Sequence, residues 1–275
     1  RGGGHLLSRR PRPFSVVSPL PPPPGNTLYT VISDLTQPVG VTADPSGAVY
    51  WVEDYGTVLQ KWTPGGAINP AFGTGMTGTT DVVRTSNGDF IVCGNAAGLW
   101  RIPAMGGPAA PLTDSLGNVI NLNYPVALAI DASDNLYVAD TGAGSVVRIS
   151  ASGVVDLAYY QGGPTFSTNG VAVDEQGNVY ASSKDEKRVV KIFPGKTHTE
   201  WLTGFSEPAG MTVDRLGTLY VSDYGSGTVY QANTVGATGT KSVFGSAKGY
   251  IVRYDPTSNG IYVADYDAGQ IRVLQ

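Results

Sequence analysis

The chain has 275 residues and a formal net charge of −4; only 15% of its residues are charged, while 37 are Gly and 19 are Pro. That composition suits many short strands joined by tight turns better than helices, and no apolar run approaches the roughly 20 residues that a membrane-spanning helix needs. The single cysteine, Cys93, excludes an internal disulfide and a cysteine-based zinc cluster.

Charge changes sign near residue 26. The first 26 residues carry Arg1, Arg9, Arg10 and Arg12 and no acid, whereas the remaining 249 carry 14 basic and 22 acidic residues, a formal balance of −8. An acidic body argues against nucleic acid as a partner, because phosphate contacts require a positive surface. The chain opens on Arg rather than Met, which suggests a processed or partial product from which any signal peptide is already gone; the protein is read as extracellular or at the cell surface. Residues 1–26 are Pro-rich, without repeat, and read as an extended basic tail. Its basic Arg9, Arg10 and Arg12 suit docking either on the chain's own acidic propeller or on a neighbouring copy, which could receive the apolar segment with Phe14, Val16 and Val17 as an added strand or in a groove.

The second unit, 27–275, begins with a lone strand, Leu28-Tyr29-Thr30-Val31-Ile32, just ahead of Pro38. Repeats follow. The segments AVYWVED from Ala48, DFIVCGN from Asp89, NLYVADT from Asn135, NVYASSK from Asn178, TLYVSDY from Thr218 and GIYVADY from Gly260 align. Their anchors Tyr50, Ile91, Tyr137, Tyr180, Tyr220 and Tyr262 stand 41, 46, 43, 40 and 42 residues apart, the period of a propeller or solenoid array. Each unit alternates with period two and holds four antiparallel strands, as one propeller blade does. The last unit stops at its third strand, Ile271 to Gln275, so the strand 28–32 is expected to complete that blade and close the ring. The expected fold is therefore all-β: a six-bladed β-propeller of four-stranded antiparallel blades.

The sequences PVALAIDASDNLYVADTGAGSVVRIS (125–150), GVAVDEQGNVYASSKDEKRVVKIF (170–193) and PAGMTVDRLGTLYVSDYGSGTVY (208–230) resemble NHL repeats. The resemblance covers residues 27–275, is weaker in the second and sixth units, and implies a six-bladed propeller. It implies no single function, since that ring hosts lyases, sensors, RNA binders and scaffolds.

Asp44, Asp131, Asp174, Asp214 and Asp255 end first strands, and Asp54, Asp140, Asp223 and Asp265 end second strands. Recurrence at fixed positions reads as turn chemistry, in which Asp accepts hydrogen bonds from amides a few residues on. The aromatic residue after some of them is not required by the repeat. Tyr55, Tyr224 and Tyr266, in the first, fifth and sixth units, should form an arc on one face, joined by Glu53 and Asp267, and such rings beside carboxylates suit a protein or glycan partner.

Catalytic signatures are sparse. Lyases of related fold use channel histidines and a metal, as the resemblance implies, but this chain has only His5, in the tail, and His198, read as a surface residue. A calcium-dependent lactonase-type site would draw on Glu53, Asp81, Asn95 and Asn169, which match no motif by position. Nucleophile elbows, Walker loops and His-Glu-x-x-His motifs do not occur. The sequence thus points away from an enzyme and needs no cofactor, with calcium kept as an alternative. It suggests an extracellular structural or adhesive subunit that self-assembles through its tail, in the limit as a filament. The second reading is a ligand-binding or sensor domain of a larger receptor, and the third a metal-dependent lyase or lactonase.

Overall fold

In the computed structural model, the described residues are 28–275 apart from 96, 97, 164 and 237. The proposed assembly tail, with Arg9, Arg10, Arg12, Phe14, Val16 and Val17, lies outside them.

The regular structure of the described residues is one short 3-10 turn, Thr141–Ala143, and twenty-four strands. In chain order these begin with β1 (Leu28–Ile32), β2 (Pro38–Ala43), β3 (Val49–Glu53), β4 (Gly56–Trp62), β5 (Ile68–Arg84), β6 (Phe90–Gly94) and β7 (Gly98–Ile102). Two short pieces follow, β8 (Gly107–Pro108) and β9 (Ala110–Pro111), and then β10 (Pro125–Ile130), β11 (Leu136–Asp140), β12 (Ser145–Ile149) and β13 (Val155–Gln161). Next come β14 (Thr168–Val173), β15 (Val179–Ser183), β16 (Arg188–Ile192), β17 (His198–Leu202), β18 (Pro208–Val213), β19 (Thr218–Asp223), β20 (Thr228–Asn233) and β21 (Lys241–Ser246). The last three are β22 (Gly249–Asp255), β23 (Gly260–Asp265) and β24 (Gln270–Leu274).

These strands make an all-β propeller of four-stranded antiparallel blades. Four sheets are discrete: β10-β11-β12-β13, β14-β15-β16-β17, β18-β19-β20-β21 and β22-β23-β24-β1. In the last, β1 lies antiparallel to β24 with Leu28 opposite Leu274. The expectation of six separate blades needs correction, because the first two repeats merge into one eight-stranded sheet. The cause is β5, whose 17 residues pair first with β4 and then, from Thr79, with β6. Pro38, Pro125 and Pro208 each open a first strand elsewhere, and proline interrupts a ladder. The joint inside β5 reads GTGMTGTT, Gly73 to Thr80, with no proline to stop it.

Four of the hairpins between a first and a second strand are tied by one device. Asp44 Oδ1 accepts the amides of Ser46 (2.9 Å) and Ala48 (3.1 Å), while Oδ2 accepts the hydroxyl of Tyr50 at 2.9 Å. Asp131 with Tyr137, Asp174 with Tyr180 and Asp214 with Tyr220 repeat the pattern at 3.3, 2.9 and 3.1 Å. The repeating aspartate and tyrosine anchor are therefore one unit: the carboxylate closes the turn and lets a tyrosine enter the core with its hydroxyl satisfied. Tyr180, Trp51, Trp62 and Phe90 are almost fully buried between sheets, each contributing on the order of 2–3 kcal/mol of burial.

The axis between the first strands is plugged. Arg253 of β22 reaches Asp81 of β5, with Nη2 2.8 Å from Oδ2 and 3.0 Å from Oδ1, and donates through Nη1 to the carbonyl of Leu128 in β10 at 3.0 Å. Asp81 is wholly buried and also accepts the Leu128 amide at 2.8 Å. One cavity lies on each side of this pair.

Candidate functional site

The cavity on the side where the first strands begin is a cup of about 270 Å³. Its floor comes from the second residues of first strands, Val39, Val126, Asn169 and Tyr250, and from Thr80, which follows Thr79 where β5 turns to pairing with β6. Its wall comes from the turns after second strands, which supply Asp54, Tyr55, Asn95, Thr141 and Lys184, and from Tyr124 just ahead of β10. The repeat explains the convergence, because equivalent positions of successive units point to one axis.

Asp54 is the carboxylate of this cup. Its Oδ2 accepts the Tyr266 hydroxyl at 3.2 Å, and burial raises its pKa above the usual carboxylate value, a rise that this bond only partly offsets. Lys184 pairs with Glu207 at 3.2 Å, with both side chains partly exposed, so the pair is loose and screened. Among the described residues the side chains of Asn95 and Asn169 form no hydrogen bond, leaving two amides free to meet a ligand.

Tyrosines dominate the rim. Tyr55 is 66% exposed, Tyr124 is 43% exposed, and their hydroxyls lie 3.4 Å apart. Both have left-handed backbones, with φ of 54° and 71°. For bulky L-residues this costs roughly 1–2 kcal/mol each, and such strain concentrates where a side chain must be held in one direction. Tyr250 stacks on Tyr224 with centroids 4.3 Å apart and meets Tyr266 edge-on at 5.3 Å. Burial raises the pKa of Tyr250, Tyr266 and Tyr224 above the ordinary tyrosine value.

The residues expected to form one arc are distributed as follows. Tyr55 lines the cup, and Tyr266 and Tyr224 back it. Asp267 is exposed beyond them, accepting the Tyr224 hydroxyl at 3.1 Å and pairing with Lys248 at 2.6 Å. Glu53 turns away, and its Oε1 accepts the amide of Thr36 at 3.1 Å. Tyr124, Tyr250, Lys184 and Asp54 were not singled out by the sequence as cup residues. Tyr250 stands in a first strand, where an aromatic residue reads as core, and Asp54 carries the same letter as its turn-forming counterparts.

A divalent cation does not fit this arrangement. Calcium takes six to eight oxygens, but of Glu53, Asp81, Asn95 and Asn169 only the two amides line the cup. Glu53 serves a turn and Asp81 is held by Arg253. Asp54 is the one carboxylate lining the cup, and Lys184 shares its wall. Among the described residues no three His, Cys, Asp or Glu side chains gather as metal ligands. His198 is exposed at the start of β17, edge-on to Tyr160 at 5.0 Å, far from the cup in the topology.

No protein-family model matches the chain, and no curated protein matches it either. Solved structures match across most of its length. A gluconolactonase from Xanthomonas campestris is 17% identical over 97% of this chain and 98% of its own, with a TM-score of 0.72. A virginiamycin B lyase from Staphylococcus aureus is 14% identical over 90% and 99%, with a TM-score of 0.68, and a luciferin-regenerating enzyme is 13% identical over 91% and 95%, also at 0.68. At these identities the likeness establishes the propeller fold, and the narrower NHL assignment has no family match behind it. The neighbours do overturn one expectation. A lactonase, lyases and a luciferin-regenerating enzyme share this fold over 90% or more of the chain, so a non-enzymatic filament subunit is no longer the reading to hold.

Proposed function

We propose that the chain is an enzyme of the lyase or lactonase kind, acting on a small cyclic molecule in the tyrosine-rimmed cup, with Asp54 as the group that moves a proton. The observation that carries this reading is a half-buried carboxyl with raised pKa, set among ring faces and two unpaired amides. A carboxyl tuned toward the working pH is what general acid–base catalysis requires. In ester opening, Asp54 takes the proton of an attacking water as the water oxygen bonds to the carbonyl carbon. When the ring C–O bond breaks, that proton passes to the leaving alkoxide. Asn95, Asn169 and Lys184 supply donors for the developing oxyanion. Tyr55 and Tyr124 clamp the ring of the substrate, with Tyr266 and Tyr224 as support.

The finer architecture belongs to the same proposal: six NHL-type blades, with the eight-stranded sheet read as two blades fused through β5 and with β1 closing the ring. The split pairing of β5 supports this, as do the contacts of Arg253 with β2, β5 and β10.

The test is ring opening of a panel of lactones and cyclic depsipeptides, followed by pH-stat with the full chain and with Asp54→Asn. Turnover by the wild type that falls 100-fold or more in the variant, without loss of melting temperature, is expected. Inertness of the wild type toward both classes, or an unchanged rate in the variant, contradicts the proposal.

A further inference from the structure

The second cavity lies beyond the Arg253–Asp81 pair, where the first strands end, and encloses about 360 Å³. All six repeats contribute to its wall. In the place just before the first turn, five of them carry Ala43, Ile130, Val173, Val213 and Tyr254, and the second carries Arg84. The same unit has Thr85 where the others have the turn aspartate; the Thr85 amide donates to the Asp89 carbonyl as the Asp44 amide does to that of Ala48. One repeat has thus gained a cation at the cavity and lost the carboxylate beside it.

Arg84 meets no counter-charge. It is partly buried, yet among the described residues its guanidinium makes no hydrogen bond and no ion pair. The carboxylates of the cavity wall are committed to their own turns. Asp44 accepts the amides of Ser46 and Ala48 and the hydroxyls of Ser46 and Tyr50. Asp255 accepts the amides of Thr257 and Ser258 and the Ser258 hydroxyl. The other arginine of the wall, Arg253, is taken up by Asp81 and by the Leu128 carbonyl.

A free hydroxyl stands near Arg84. Thr42 lies directly opposite Tyr50 across β2 and β3 and so shares its face, and the charge of Arg84 acts on the hydroxyl of that same tyrosine. Thr42 also lines the cavity, is only 6% exposed, and its hydroxyl has no partner among the described residues. A guanidinium fork and a hydroxyl with no acceptor to serve suit a carboxylate, which arginine binds through two parallel hydrogen bonds. Ile130, Val173 and Val213 make other parts of the wall apolar and suit a hydrocarbon body. Asp44 and Asp255 border the same space and oppose a second negative charge.

We propose that this cavity binds a small organic monocarboxylate, its carboxylate on Arg84 and Thr42 and its apolar body against the valine and isoleucine side chains. The inference does not depend on the cup being catalytic.

Calorimetric titration of the full chain with 4-bromobenzoate, together with a bromine anomalous map from crystals soaked in it, tests the site. The expected result is saturable binding and a bromine peak in this cavity with the carboxylate on Arg84. Affinity should be lower by about 10-fold or more for 4-bromobenzyl alcohol, and equally so for the acid with Arg84→Gln. Absence of saturable binding, equal affinity for the alcohol, an affinity that Arg84→Gln leaves unchanged, or a bromine peak only in the tyrosine-rimmed cup overturns the proposal. If Arg84→Gln fails to fold, the bromine position and the acid-to-alcohol ratio of the wild type still decide.

Discussion

The turns after β11 and β19 begin with the same aspartate and adopt the same hairpin, yet Asp223 meets three donors and Asp140 meets one. In the first case the turn is complete in itself. In the second, two changes, Ser226 to Ala143 and Glu207 to a left-handed Tyr124, free a rim tyrosine for the cup and leave a buried oxygen to be satisfied otherwise. A repeated motif can thus be structural in one unit and given over to a site in another.

The contrast can be broken in order of expected effect. Asp223→Ala should leave two amides without their acceptor in a nearly closed site and lower stability by about 2–3 kcal/mol, read by urea unfolding. Asp140→Asn should cost under about 1 kcal/mol at neutral pH, because the wild-type carboxylate is poorly served; an equal loss at both sites would erase the distinction. Ala143→Ser, which restores the hydroxyl found at Ser226, should stabilise by a few tenths to about 1 kcal/mol, and a melting temperature at or below wild type would count against it.

The same contrast has a pH signature. Burial raises the folded pKa of Asp140 above its ordinary 3.8, with the Asn123 amide opposing the rise. A raised carboxyl favours folding below the unfolded value, and that contribution is lost as pH climbs through the folded value. Stability attributable to Asp140 should therefore fall as pH rises above about 4. Asp140→Asn should flatten that part of the profile, and an unaltered slope would show that Asp140 is not the group responsible.

Much of the fold was legible because the tyrosine anchors and turn aspartates recur at a near-constant period. The merging of the first two repeats was not, since nothing in period or alternation warns that Gly73 to Thr80 will run on as strand. The cup was legible only in part. Tyr55, Tyr224 and Tyr266 stood out as departures from the repeat, whereas Asp54 looked like its turn-forming counterparts. Its environment, rather than its letter, separates it from Asp223. The pairing of Asp81 with Arg253, 172 residues apart, has no local signal at all.

The most direct test of the central claim is the pH dependence of kcat/KM for lactone or cyclic-ester opening by chelator-treated full chain. The account predicts activity that survives chelation and an ascending acid limb governed by a pKa above the ordinary 3.8 of aspartate, absent in Asp54→Asn. Activity lost on chelation and restored by calcium, or an acid limb that the variant leaves in place, would contradict it.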